Sequence, residues 1–140
     1  MYTQSRSILR YAGRLSALYP EDALAALKVD MIIDVIEDLT LCLSKTMRIA
    51  DADEKKAARE AFAQHDLPRW CGVLETLFQG DGPFFAGKDL SIADLQLYAV
   101  VGWMVSGQVD HVPTTALDNE FPKTKACLVA VGERVSSLAD

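Results

Sequence analysis

The stretch from Glu21 to Arg48 constrains this chain most. In it Val29, Ile32, Ile33, Ile36, Leu39 and Leu43 recur every three or four residues, while Asp30, Asp34, Glu37 and Asp38 fall on the other side. Residues so spaced share a face only on an α-helix, so the pattern predicts one long, two-sided helix. The same period returns nearly everywhere else. Strand-like alternation is almost absent, and glycine and proline gather at a few points. The fold class expected is therefore all-α, a helical bundle. A first helix runs from about Ser5 to Leu18, with Ile8, Leu9, Ala12 and Leu15 on one side, and Tyr19-Pro20 breaks it. The charged segment Asp51 to Glu60 reads as a solvated helix face. Pro68 then either kinks this third helix or starts a fourth that reaches Phe78, because proline is tolerated in a first turn but not deep in a helix. Pro122 opens a last helix bearing Leu128, Val131 and Val135.

One helix start is marked with unusual clarity. Gly80-Asp81-Gly82-Pro83 is a loop signal, and the chain stays irregular through Phe84-Phe85 and Gly87-Lys88-Asp89. Ser91 then stands as an N-cap, with Asp94 three residues later able to accept from the Ser91 backbone N–H. Leu90 and Leu95 occupy the two staple positions. Losing the Asp94 half of this capping box is expected to cost about 0.5 to 2 kcal/mol. Leu97, Ala99, Val101 and Trp103 make the helix it starts apolar around much of its circumference, the pattern of burial.

Composition narrows the chemistry. With 140 residues, half of them apolar, the chain is long enough for one core and too short for two complete domains. The formal net charge of -6 comes from 20 acidic against 14 basic residues, and the basic ones form no stripe, which argues against nucleic acid and anionic membranes as partners. Cys42, Cys71 and Cys127 lie far apart, giving no zinc spacing and no disulfide framework; reduced thiols in a cytoplasmic protein are expected, with no metal. The longest apolar stretch, Leu97 to Val105, is well below the ~18 residues of a membrane span. Metalloprotease, serine-hydrolase and phosphate-loop motifs are all absent, and His65 and His111 stand in unrelated settings, so a histidine-based mechanism is not expected.

What remains is the acidic stripe. Asp30, Asp34, Glu37 and Asp38 lie within roughly a 100° arc, where like charges repel mildly and need no function to be tolerated. A solvated face is the plain reading. Leu41 falls among these carboxylates, which points instead to a cleft or a subunit interface bordering them.

Three segments carry a family resemblance: Gln4-Ser5-Arg6-Ser7-Ile8-Leu9-Arg10-Tyr11, then Val29-Asp30 through Glu37-Asp38-Leu39, and Gly87-Lys88-Asp89-Leu90-Ser91-Ile92-Ala93-Asp94. Together they resemble a cytosolic glutathione transferase, of the sigma-like or alpha/mu/pi group. The resemblance implies a remnant of a thioredoxin-like domain, its last helix, over residues 1–18, and the all-helical C-terminal domain over 19–140. It implies that Gln4 and Ser5 hold the γ-glutamyl end of glutathione at a helix N-terminus, where free N–H groups and the helix dipole favour a carboxylate. It further implies that Asp38 reaches across a homodimer to the glutathione α-amino group, that Glu37, Thr40, Leu41 and Lys45 face the electrophilic acceptor substrate, and that Ser91 and Asp94 are structural. The family's thiol-activating Tyr or Ser and its cis-Pro loop belong upstream of Met1, so no catalytic residue is expected in this chain and the chain alone is expected to be inactive. The implied activity is conjugation or isomerisation of small electrophiles through the glutathione thiolate. The alternative is a non-catalytic transferase-like scaffold or dimerisation module.

Overall fold

A computed structural model describes residues 3–138. Among the described residues six α-helices carry the fold: α1 (Ser5–Leu15), α2 (Ala23–Met47), α3 (Ala52–Ala61), α4 (Leu67–Leu77), α5 (Ile92–Leu97) and α6 (Pro122–Ser136). The described residues form no β-strand; two isolated bridges, Phe84 with Gly87 and Ala86 with Asp89, fold the loop before α5 back on itself. The all-α expectation is met.

The long helix is the spine. All six apolar residues of its predicted inner face, Val29, Ile32, Ile33, Ile36, Leu39 and Leu43, are buried, and α4 and α5 pack along it. Leu67, Cys71 and Leu74 of α4, Ile92 and Leu97 of α5, and Cys127 and Val131 of α6 close the core from the other sides. Asp22 caps α2, its carboxylate accepting from the Ala25 N–H at 2.8 Å, and Asp51 caps α3 in the same way at 2.9 Å to the Glu54 N–H.

Two helices carry π-helical turns. Residues Phe62–Asp66 join α3 to α4 without a break, the Leu67 N–H reaching the Phe62 carbonyl five residues back. Pro68 sits just past this turn, in the first turn of α4, so the helix accommodates the proline rather than stopping at it. A second π-turn, Tyr98–Gly102, follows α5.

The capping box at Ser91 is present in full, and it is a buried feature rather than a surface one. Asp94 is fully buried. Its Oδ2 accepts from the Ser91 N–H and hydroxyl, both at 2.8 Å, and its Oδ1 from the Phe85 N–H at 2.8 Å and the Cys127 thiol at 3.5 Å. One carboxylate thus ties the preceding loop, α5 and α6 together.

α1 ends at Leu15, three residues short of the expected end, because Ala17 adopts a left-handed conformation (φ 57°) that lets the Leu18 N–H close on the Gly13 carbonyl at 3.0 Å. Gly13 is the point of closest approach to α5: a Cβ there would stand 2.6 Å from the Ile92 side chain. The expected apolar side of α1 is only partly used, since Leu9 packs on the core while Ile8, Ala12 and Leu15 face outward.

Candidate functional site

The N-terminus of α1 has the features of an anion site. Gln4, its N-cap, has φ 70° and ψ 95°, a region few side-chain-bearing residues occupy, and its carbonyl takes the N–H groups of Ser7 and Ile8 at 3.0 and 3.1 Å. No side chain caps this end and its first turn carries no acidic residue. Helix geometry leaves the first N–H groups without intrahelical acceptors. Gln4 and Ser5 are exposed beside them.

The acidic stripe of α2 is bridged to α1, which runs antiparallel to it, by a ladder of charge. Arg6 Nη1 is 3.1 Å from Asp34 Oδ1, and Arg6 Nη2 is 3.7 Å from Glu37 Oε1. Arg10 Nε is 2.6 Å from Asp30 Oδ1, and its Nη2 is 3.4 Å from Asp34 Oδ1. The Tyr19 hydroxyl donates to Asp30 Oδ2 at 2.9 Å, and the Arg14 guanidinium sits 5.1 Å from the Tyr19 ring centre. The Asp30 carboxylate holds the Arg10 guanidinium above its ordinary value; burial raises the Tyr19 phenol, and the bond to Asp30 adds to it. The plain reading of a solvated face is therefore incomplete: Asp30 and Glu37 are half-buried, and the exposed Asp34 shares its carboxylate with two arginines that sequence reasoning did not connect with it. A signal was present: Arg6, Arg10 and Arg14 are spaced by four, as are Asp30, Asp34 and Asp38.

The ladder brings the N-terminus of α1, with Gln4 and Ser5, alongside the α2 turn that carries Glu37 and Asp38. Asp38 is exposed, and among the described residues no side chain pairs with it. The four residues expected to face an acceptor substrate are less uniform. Glu37 is half-buried against Arg6, the Thr40 hydroxyl donates to the Ile36 carbonyl at 2.8 Å, Leu41 is 52% exposed, and Lys45 is exposed. A cleft of about 510 Å³ lies elsewhere, between Lys28, Val29 and Ile32 of α2 and the loop containing Gln79 and Phe85. Ser91 and Asp94 are spent entirely on structure.

Cys71 and Cys127 are buried, and desolvation pushes both thiols up, Cys71 to about 12, with Glu75 adding to the effect there and Asp94 at Cys127. Neither is a nucleophile at neutral pH. Among the described residues no group of His, Cys, Asp or Glu is arranged to hold a metal ion, and no helix is long and apolar enough to cross a membrane.

The acidic stripe of the spine helix and the buried Ser-x-x-Asp box lie in two of the three segments whose sequence resembles a glutathione transferase. Residues 37–136 match the family model "Glutathione S-transferase, C-terminal domain". The chain belongs to that family. It is 34% identical to glutathione S-transferase P of Pongo abelii over 91% of this chain and 63% of that protein. Among solved structures it is similar to prostaglandin synthase D of Nilaparvata lugens (TM-score 0.79, 23% identity, 93% of this chain and 62% of that one). It is also similar to a pi-class glutathione S-transferase of Onchocerca volvulus (TM-score 0.71, 24% identity, 99% and 67%). These two likenesses speak for the fold. The chain spans about 63% of the length of the first of these relatives.

Proposed function

We propose that this chain is the C-terminal part of a dimeric cytoplasmic glutathione transferase, in which residues 1–18 belong to the last helix of a thioredoxin-like domain and 19–140 form the helical domain. Glutathione is the co-substrate and a small electrophile the acceptor. The reading rests on one observation above the rest: the helix N-terminus at Gln4-Ser5 is exposed and uncapped, and among the described residues no side chain pairs with the exposed Asp38 carboxylate, so both stand open to a ligand.

In this reading the γ-glutamyl carboxylate takes the free N–H groups and hydroxyl at Ser5, where the helix dipole favours negative charge. Asp38 accepts from the α-amino group of a glutathione held mainly by the other subunit, and Glu37, Thr40, Leu41 and Lys45 border the acceptor. The thiolate performs the attack, and the group that stabilises it is supplied from outside these residues.

The test is the affinity of the intact protein for glutathione, measured by calorimetry. Asp38→Ala removes a charge-assisted hydrogen bond and should weaken binding about ten-fold or more. Asp30 is no control, because its loss leaves the Tyr19 hydroxyl without its acceptor and removes the shorter of the two ion pairs of Arg10. Glu21→Gln, an exposed charge before α2, serves instead and should leave affinity unchanged. Equal affinities for wild type, Asp38→Ala and Glu21→Gln would remove Asp38 from the site. A stable oligomer with no glutathione affinity at all would favour the scaffold alternative.

A further inference from the structure

Arg6 stands where helix electrostatics disfavours it. A cation in the first turn opposes the positive end of the helix dipole, and α1 has no acidic residue there to offset it. The offset comes from another helix: Asp34 at 3.1 Å and Glu37 at 3.7 Å, on successive turns of α2, share one guanidinium. Arg10 makes the next rung, so α1 is held at two points one turn apart. Among the described residues only the Arg6 rung touches the turn of α1 that presents Ser5, and it meets α2 next to Asp38. The residue between Arg6 and the chain entering the helix from Gln4 is Ser5 itself, directly after the strained Gln4 backbone at φ 70°. A helix end entered through a strained residue has no local cap to fix its direction; here the guanidinium fork fixes it.

We propose that Arg6 is a positioning residue for glutathione: by clamping the first turn of α1 to Asp34 and Glu37 it sets the direction of the N–H groups at Ser5, without touching the ligand. The inference rests on the glutathione reading of that site. A planar two-armed cation is required, because one arm reaches each carboxylate; a lysine spans only one of them.

The experiment compares Arg6→Ala, Arg6→Lys and Ser5→Ala in the intact protein, with glutathione Kd by calorimetry, KM for glutathione, kcat at saturating glutathione, and the unfolding midpoint. Arg6→Ala should raise Kd and KM about three- to ten-fold through lost preorganisation, leaving kcat within about two-fold, and Arg6→Lys should recover part of the loss. Added salt should weaken glutathione binding by wild type more than by Arg6→Ala, since the clamp is partly exposed and therefore screened. Weakened binding in Ser5→Ala with unchanged KM in Arg6→Ala would overturn the positioning role and leave the site standing. Unchanged affinity in both variants would overturn the site, and the role of Arg6 with it. A joint fall of kcat, affinity and unfolding midpoint in Arg6→Ala, with no recovery in Arg6→Lys, would reduce Arg6 to a structural ion pair and overturn the proposal.

Discussion

Glu75 caps a helix to which it does not belong. From α4 its Oε1 accepts the Lys123 N–H at 2.7 Å, while its Oε2 accepts the Thr124 N–H at 2.9 Å and the Thr124 hydroxyl at 2.8 Å, closing the N-terminus of α6. Phe121, which occupies the N-cap position, offers no acceptor side chain, and Pro122 follows it.

Removing this remote cap leaves the buried Thr124 hydroxyl and two helix N–H groups unmatched. Glu75→Ala is therefore expected to cost about 1–3 kcal/mol, more than a typical exposed cap, and Glu75→Gln less, because the amide keeps one acceptor oxygen. Urea unfolding of the three proteins measures this; identical midpoints for Glu75→Ala and wild type would show that α6 finds its cap elsewhere.

Asp94→Ala should do more harm than the loss of half a capping box on an exposed helix. Full burial means that the Phe85 and Ser91 N–H groups left behind have no water to turn to, so the expected loss is about 3–5 kcal/mol rather than 0.5 to 2. Asp94→Asn, which retains one acceptor, should fall between. Chemical denaturation decides, and a loss under about 1 kcal/mol for Asp94→Ala would mean that the loop and α5 rearrange to satisfy themselves.

Alkaline pH should destabilise the fold. The Cys71, Cys127 and Tyr19 protons are all held more tightly in the folded chain than in the unfolded one. Between about 9, where an unfolded thiol ionises, and about 12, where Cys71 does so in place, the folded state binds more protons, so stability is complete below that window and falls as pH rises through it. Thermal midpoints recorded from pH 7 to pH 11 should decline above pH 9, and Cys71→Ala should decline less steeply whatever its starting midpoint. Parallel slopes for the two proteins would remove Cys71 as a source of the effect.

Much of this was legible in the sequence because it is local. The inner face of α2 follows from a 3.6-residue period, and the Ser91–Asp94 box from a spacing of three. What escaped is long-range. Glu75 meets Thr124 and Arg6 meets Asp34 only after folding, and no window along the chain contains either pair. Asp38 stood out among four acids through family resemblance; its three neighbours differ from it through the arginines of another helix. The end of α1 was overestimated because Ala17, a good helix former, takes the left-handed conformation normally left to glycine.

The π-turn at Phe62–Asp66 is in effect a phase correction. Phe62 and Leu67 are both almost fully buried, yet five residues apart on an unbroken α-helix they would be turned by about 140° from each other. The wider turn absorbs one surplus residue and returns Leu67, and after it Cys71 and Leu74, to the side on which Phe62 lies. Deleting one residue of that turn would place Leu67 four residues after Phe62, about 40° from it on a regular α-helix, so the core face of α4 would keep its direction toward α2 and Glu75 its direction toward α6. The turn thus carries one residue more than a regular helix needs, whereas one further residue beyond it would swing α4 by about 100°.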